Sequence, residues 1–170
     1  MPERGKAPWQ RWLALSAAVT ALDLATKAWI STAFTAGDVH VITPFLNLVL
    51  WHNTGAAFSF LAGAGGWQRW FFIGVTLAIS AVLLVMLRRS GGNRLLACAL
   101  SLVLGGAAGN LWDRITLGHV VDFIQLHAAG YYWPAFNVAD SAITVGVALI
   151  LWDGILESRA SRGAGKEMTP

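Results

Sequence analysis

Three carboxylates fall within one short stretch of an otherwise apolar chain. Residues 105–144 contain Asp113, Asp122 and Asp140, together with Asn110, Arg114 and Asn137. One arginine cannot neutralise three acids, so at least two carboxylates lack an obvious local counter-ion. Ionisable groups at the edge of a hydrocarbon layer are costly, and they indicate a functional site unless a basic partner is found.

Two carboxylates that share a site can divide acid and base roles between them. One keeps its proton while the other stays ionised, because both cannot carry a charge at close range. The ionised group can take a proton from water while the protonated group polarises a carbonyl. Asp122 and Asp140 could therefore hydrolyse a peptide bond. Two structural alternatives stay open: Asp140 as the acid of a capping box with Asn137 as N-cap, and Asp122 as a solvated loop acid.

Other catalytic chemistries have weaker support in the sequence. A Ser–Lys dyad would need Lys27 beside Ser59 or Ser141, but Asp23 lies one helical turn from Lys27 and already offers it a partner. The histidines, at positions 40, 52, 119 and 127, form no HExxH motif or close pair, and Cys98 is the only cysteine. We therefore expect no metal site, no cofactor and no disulfide.

The composition is that of a membrane protein. The chain has 170 residues, of which 56% are hydrophobic and 12% charged, and its mean hydropathy is +0.57. The formal net charge of +3 comes from basic residues in separate clusters, so nucleic acid is not expected as a partner.

Four apolar segments are long enough to cross a membrane as helices. They cover about 12–33, 67–87, 95–112 and 138–156 in a single membrane domain of residues 1–170, with a disordered cytoplasmic tail at 157–170. The first segment carries Asp23 and Lys27 and is too polar for an ordinary signal peptide, so we expect it to be retained. The small residues at 105–109 should let a neighbouring helix approach closely.

The basic residues predict the orientation. They precede the first segment, follow the fourth, and join the second to the third at Arg88, Arg89 and Arg94. By the positive-inside rule, both termini and the 88–94 loop are cytoplasmic, and loops 34–66 and 113–137 are outside. Alternating and β-branched residues at 38–52 predict one or two short strands there. The acids should therefore converge with Asn53 at the outer membrane boundary.

The chain resembles the lipoprotein signal peptidases (signal peptidase II), which are four-helix intramembrane aspartyl peptidases of bacteria. The resemblance covers about residues 12–156. It is carried by Asp23 and Lys27, NTGAAFS at 53–59, GGAAGNLWDR at 105–114, VDF at 121–123 and FNVADS at 136–141. The chain departs from the family at Leu24, where Gln is frequent, and at Trp112, where Tyr is common. Neither position belongs to the acidic pair.

The resemblance implies a fold and a role for each motif residue. The fold is an all-α polytopic membrane protein, with four transmembrane helices and a small β-containing outer platform built from loops 34–66 and 113–137. Asp122 and Asp140 match the catalytic pair. Residues matching the substrate and inhibitor site are Asn53, Gly55, Asn110, Arg114 and Asn137. Residues matching supporting positions are Asp23, Lys27, Asp113 and Ala139.

The resemblance also implies a reaction and a location. The family removes signal peptides from diacylglyceryl-modified bacterial prolipoproteins by cleaving just before the lipidated cysteine. The expected partners are the prolipoprotein, membrane lipids and cyclic-peptide inhibitors of the globomycin type. The expected location is the bacterial inner membrane, with the active site near its periplasmic face.

A small proton-coupled carrier or channel subunit is the alternative from another functional class. Such a protein would spread its acids across the depth of the bilayer. Here only Asp23 lies near the middle of a span and only Asp153 near the cytoplasmic end. The clustering of the other acids at one boundary favours a peptidase.

Overall fold

The computed structural model describes residues 9–55 and 65–166. Ser59 and the basic residues Arg4 and Lys6 lie outside these ranges. The helices are α1 (Arg11–Ala33), α2 (Trp67–Arg89), α3 (Arg94–Thr116) and α4 (Val138–Lys166). The strands are β1 (Val39–Thr43), β2 (Leu46–Asn53), β3 (Val120–Ala128) and β4 (Tyr131–Tyr132).

All four helices are long and apolar enough to span a membrane. Their mean hydropathies run from 1.3 for α1 to 2.5 for α2, and 23 residues at about 1.5 Å each exceed a hydrocarbon core of about 30 Å. The predicted four-helix membrane fold is confirmed. Helix α3 continues to Thr116, so Asn110, Asp113 and Arg114 all project from one helix.

Helix α4 is longer than the sequence analysis predicted. The expected disordered tail at 157–170 is wrong for residues 157–166, because α4 continues through Lys166. Hydrophobicity falls after residue 156, but residues 157–162 contain no glycine or proline and include the strong helix formers Glu157, Arg159 and Ala160. The apolar segment therefore ends before the helix does.

Helix α3 forms the centre of the bundle. It contains eleven buried residues, whereas α1 contains three and α2 four. A Cβ on Gly105 would lie 2.7 Å from the carbonyl oxygen of Ser16, and one on Gly106 would collide with the carbonyl oxygen of Ala139. The Thr20 hydroxyl donates to the carbonyl of Gly105 at 2.9 Å. Because glycine has no side chain, the backbones of α1 and α4 can approach α3 closely at these positions, as predicted.

The other end of α3 is fixed to α4 by polar contacts. The Asn93 side chain caps α3 by accepting from the Leu96 backbone N–H at 3.0 Å. The amide of Asn93 donates to both oxygens of the buried Asp153, at 2.9 and 3.0 Å. A hydrophobic cluster around Leu87 and Leu100 packs α2 against α3 at the same end.

The strands form one antiparallel sheet in the order β1-β2-β3-β4. Its inner surface rests on the end of α1, where Ile30 packs with Leu50, Val121 and Phe123. The predicted platform is confirmed, because β1 and β2 come from the first loop and β3 and β4 from the second. The sheet places β3 directly beside the start of α4.

Candidate active site

The structure divides the three clustered acids into two groups. Asp122 lies in β3 opposite Trp51, and Asp140 lies in the first turn of α4. Both line one cleft. Asp113 is buried in α3 and forms an ion pair with Lys27. The alternative of a solvated loop acid is wrong for Asp122, which is buried and belongs to a strand.

Three asparagine side chains orient the two cleft carboxylates. Asn137 donates to Oδ1 of Asp122 at 2.8 Å, and Asn53 donates to Oδ2 of the same residue at 3.1 Å. Asn110 donates to Oδ1 of Asp140 at 2.8 Å. Each carboxylate is therefore held by an amide donor while it faces the cleft.

Asn137 and Asp140 also form the capping box that the sequence suggested as an alternative. Oδ1 of Asn137 accepts from the Asp140 backbone N–H at 2.9 Å, and Oδ2 of Asp140 accepts from the Asn137 backbone N–H at 3.3 Å. Asp140 therefore caps α4 with one oxygen and receives the Asn110 amide with the other. The structural role and the position in the cleft coexist.

Lys27 is the counter-ion of both Asp23 and Asp113. Counting the charged residues near Asp113 in the sequence does not reveal it. Its Nζ lies 2.8 Å from Asp23 and 2.9 Å from Asp113, and it donates to Oδ1 of Asn110 at 2.9 Å. The predicted Asp23–Lys27 pair is confirmed, and it extends to α4 because Asp23 accepts from the Ala139 backbone N–H at 2.8 Å. The partner of Asp113 thus comes from another helix, where a search for local counter-ions in the sequence does not look.

Arg114 reaches the segment that follows β2. Its guanidinium donates to the carbonyl of Gly55 at 3.0 Å and to the carbonyl of Asn110 at 3.3 Å, and it lies 5.2 Å from the centre of the Phe72 ring. Arg114 also lines the cleft. It brings a positive charge to the region of the two carboxylates and holds the backbone of the loop that carries Asn53.

The cleft has a polar end and an apolar wall. Its volume is about 1140 Å³, and such apolar clefts with a few converging polar groups are the usual form of a binding site. The polar end is lined by Asn53, Asn110, Arg114, Asp122 and Asp140. The remaining lining includes Trp51, His52, Gln125, Leu126, the segment 132–136, Ile143 and Val145.

The two cleft carboxylates differ in their surroundings. Burial raises the pKa of Asp122 to about 7, and the nearby carboxylate of Asp140 adds to the effect. The hydrogen bonds from Asn53 and Asn137 act in the opposite direction. Asp122 can therefore hold a proton near neutral pH, as one member of an acid–base pair must.

Serine and metal chemistry find little support in this geometry. The Lys27 ammonium is fully engaged, and the Ser141 hydroxyl donates to the carbonyl of Asn137 at 3.0 Å. The fold stacks His52 on His119, with ring centres 4.1 Å apart, although the sequence showed no close pair. Burial, together with His52, lowers the pKa of His119. Within residues 9–55 and 65–161, no group of three or more metal-binding side chains is present.

Comparison with known proteins identifies the family. The family model described as Signal peptidase (SPase) II matches residues 15–156. The chain belongs to the signal peptidase II family. A lipoprotein signal peptidase of Burkholderia mallei (strain SAVP1) is 47% identical over 151 residues, which cover 89% of this chain and 91% of the relative. A lipoprotein signal peptidase of Paraburkholderia phymatum is 46% identical with the same coverage.

Solved structures support the same family assignment. A bacterial membrane enzyme determined by the in meso method at 2.3 Å resolution superposes with a TM-score of 0.80 and 35% identity, covering 88% of this chain and 90% of that chain. A second, determined at 1.9 Å resolution, gives 0.75 and 36%, covering 85% and 92%. The predicted resemblance to signal peptidase II is confirmed, and the chain is a multi-pass membrane peptidase.

The structure brings the described residues of the predicted signal peptidase II motifs together from α1, α3, α4 and the sheet. It also adds cleft residues that sequence reasoning missed, namely Trp51, His52, Gln125, Leu126 and the segment 132–136. The aromatic and proline-containing sequence YYWPA directly before the FNVADS motif was an available signal for part of this wall. Gln125 gave no comparable signal.

Proposed function

We propose that this chain is an intramembrane aspartyl endopeptidase that removes signal peptides from diacylglyceryl-modified prolipoproteins. Cleavage occurs just before the lipidated cysteine. The observation that carries the proposal is the convergence of Asp122 and Asp140 on one cleft, with amide donors on both and a pKa of about 7 for Asp122. Membership of a signal peptidase family supplies the class of reaction.

In the proposed mechanism, the two carboxyl groups have different protonation states. Asp122 enters protonated, donates a hydrogen bond to the scissile carbonyl oxygen and transfers its proton to that oxygen as the tetrahedral intermediate forms. Ionised Asp140 takes a proton from water, and the resulting hydroxide adds to the carbonyl carbon. When the tetrahedral intermediate collapses, the proton held by Asp140 passes to the leaving amine. The C–N bond breaks and Asp122 regains its proton from the carboxylic acid product.

The polar side chains around the pair hold the carboxylates and the substrate. Asn110 and Asn137 fix the carboxylate oxygens through their amides. Arg114 and Asn53 line the cleft beside them and can bind substrate carbonyl groups. Cyclic peptides of the globomycin type would occupy the same cleft and compete with the substrate.

The position of the site relative to the membrane is part of the proposal. The basic residues Arg88, Arg89 and Arg94 lie at the end of the bundle opposite the sheet, and the positive-inside rule assigns that end to the cytoplasm. The sheet and cleft then face the periplasm. The signal helix and the lipid anchor of a prolipoprotein would hold its scissile bond at this depth.

Cleavage of a defined substrate tests the function. Purified protein in detergent is incubated with a synthetic prolipoprotein peptide bearing a diacylglyceryl cysteine, and the products are identified by mass spectrometry. We expect one cut, immediately before the modified cysteine, and much slower cutting of the same peptide with a free thiol. Folded protein that leaves the lipidated peptide intact, or that conducts protons in liposomes without cleaving it, would favour the carrier alternative.

A further inference from the structure

A bulge in β3 changes which side chains face the cleft. The backbone N–H groups of Phe123 and Ile124 both donate to the carbonyl of Phe136, at 3.0 and 2.9 Å. Both side chains contact the hydrophobic cluster beneath the sheet. In a regular strand, residues three apart point to opposite faces. The bulge interrupts this alternation, and Gln125 lines the same cleft as Asp122.

Asn47 fixes the orientation of the Gln125 side chain. These residues face each other across β2 and β3, and Nδ2 of Asn47 donates to Oε1 of Gln125 at 3.0 Å. Both are buried, with 3% and 4% of their surfaces exposed. Because Oε1 is occupied, the Nε2 group of Gln125 is the part of the amide available as a donor to a ligand.

The amide pair is not fully satisfied by the protein. Oδ1 of Asn47 is buried and has no hydrogen-bond partner among the residues that the structure describes. Burying incompletely paired amides costs stability, and an apolar pair at the same place would avoid that cost. A buried amide pair that opens on a substrate cleft therefore indicates a role in recognition.

The wall around Gln125 restricts the kind of group that it can recognise. The neighbouring lining residues are Leu126, Trp133, Pro134 and Phe136, which suit an apolar ligand. An amide N–H donor in such a wall favours a ligand that has an acceptor atom on an otherwise apolar molecule. We propose that Nε2 of Gln125 binds a carbonyl oxygen of the substrate and thereby acts as a specificity-determining residue. This inference rests on the proposed function.

The distance along the strand limits where that carbonyl lies. Three residues at about 3.3 Å each place the backbone of Gln125 roughly 10 Å from that of Asp122. An extended peptide covers this distance in about three residues. The carbonyl therefore belongs either to a peptide bond within three residues of the scissile bond or to an acyl ester of the diacylglyceryl group.

Substrates that lack single carbonyl groups test the proposal and distinguish these sources. The wild type and Gln125→Met, which keeps the length but removes the donor, are compared on three kinds of substrate. The first is the parent lipopeptide, and the second carries ether-linked alkyl chains without acyl carbonyls. The third is a set in which each non-scissile peptide carbonyl within three residues is replaced by methylene.

We expect Gln125→Met to lower kcat/KM for the parent by about 3- to 10-fold, mainly through KM. The substrate that lacks the recognised carbonyl should be cleaved equally well by both proteins. If this is the ether lipid, the acyl ester is the ligand. If it is one of the methylene peptides, the ligand is that peptide carbonyl.

Two controls separate recognition from folding. Asn47→Leu combined with Gln125→Met removes both buried amides and should show the same substrate pattern. Leu117→Met, at an exposed position after α3 that does not line the cleft, should retain the wild-type pattern. Melting temperatures in detergent identify any loss of folded protein. An unchanged rate on the parent, or an equal loss on every substrate, would overturn the role of Gln125. A wild type that cannot cleave the parent would instead refute the proposed function itself.

Discussion

Among single residues, Lys27 fixes the orientation of the Asn110 side-chain amide. Its ammonium holds Oδ1 of Asn110 at 2.9 Å, so Nδ2 of Asn110 must point toward Asp140, where it donates at 2.8 Å. Asn137 donates to the same Oδ1 at 3.3 Å and to Asp122 at 2.8 Å. A charge buried behind the site thereby orients donors to both carboxylates.

Removing Lys27 should affect stability and activity separately. Lys27→Met leaves Asp23 and Asp113 buried without a cation, and the free energy of unfolding should fall by about 3–5 kcal/mol. Adding Asp23→Asn and Asp113→Asn removes the buried charges and should recover much of that loss. The triple variant should still cleave at least about tenfold more slowly, because Asn110 is no longer held. Melting temperature and kcat/KM measure the two effects, and wild-type kcat/KM in a folded triple variant would refute the positioning role.

The raised pKa of Asp122 predicts a pH-dependent stability. A carboxyl whose pKa is about 7 when folded and about 3.9 when unfolded binds more protons in the folded state between these values. Its stabilising contribution is full below about pH 4 and is lost as the pH rises through 7. Asp122→Asn removes this dependence, so its stability relative to the wild type should increase by about 1–3 kcal/mol from pH 5 to pH 8.

Thermal melting at both pH values checks this prediction. Glu157→Gln, at an exposed position on α4, serves as the control and should differ little from the wild type at either pH. A constant difference between Asp122→Asn and the wild type across this range would show that Asp122 has an ordinary pKa in the folded protein.

At the scale of elements, the site depends on how closely α3 and α4 pack. Asp140 sits in the first turn of α4, and that turn is fixed by the contact of Ala139 with Gly106 and by the Asp23 hydrogen bond to the Ala139 N–H. The neighbouring strand β3 brings Asp122 to the same turn through Asn137. A small displacement of α4 would therefore separate the two carboxylates.

A matched pair of glycine substitutions tests this packing. Gly106→Ala places a methyl group against the Ala139 carbonyl and 2.8 Å from Cγ1 of Ile143. It should reduce the free energy of unfolding by about 1–3 kcal/mol and also slow cleavage. Gly154→Ala, in the same bundle, meets nothing within 4 Å and should be neutral or stabilising by up to about 1 kcal/mol. Equal effects of the two substitutions on melting temperature and cleavage would contradict the packing argument.

The elements and motifs could be predicted from the sequence where the signal is local. Hydropathy predicted the four spans, and the spacing of Asn137 and Asp140 predicted the capping box. The long-range contacts could not be predicted from spacing alone. Lys27 and Asp113 lie on different helices, and the β3 bulge depends on the carbonyl of Phe136. The end of α4 was mispredicted because the residues that follow position 156 still favour a helix although they are no longer hydrophobic.

For the protein as a whole, the proposed function requires one orientation in the membrane. Reporter fusions near residues 45 and 125 should report a periplasmic location, and fusions near residue 91 and at the C-terminus should report a cytoplasmic one. The basic residues that flank the helices at the end opposite the sheet are the physical reason. A periplasmic 88–94 loop would place the cleft on the wrong side for exported prolipoproteins.

The proposed peptidase activity depends on Asp122 and Asp140 acting together as an acid–base pair. The most direct test is to measure kcat/KM of Asp122→Asn and Asp140→Asn on a diacylglyceryl prolipoprotein peptide, beside their melting temperatures at neutral pH. Each variant should cleave about 10²- to 10⁴-fold more slowly or worse. Asp140→Asn should lose no more than about 0.5–2 kcal/mol of stability, because an acceptor oxygen remains for the cap. A folded Asp122→Asn or Asp140→Asn protein that cleaves at close to the wild-type rate would contradict the aspartyl mechanism.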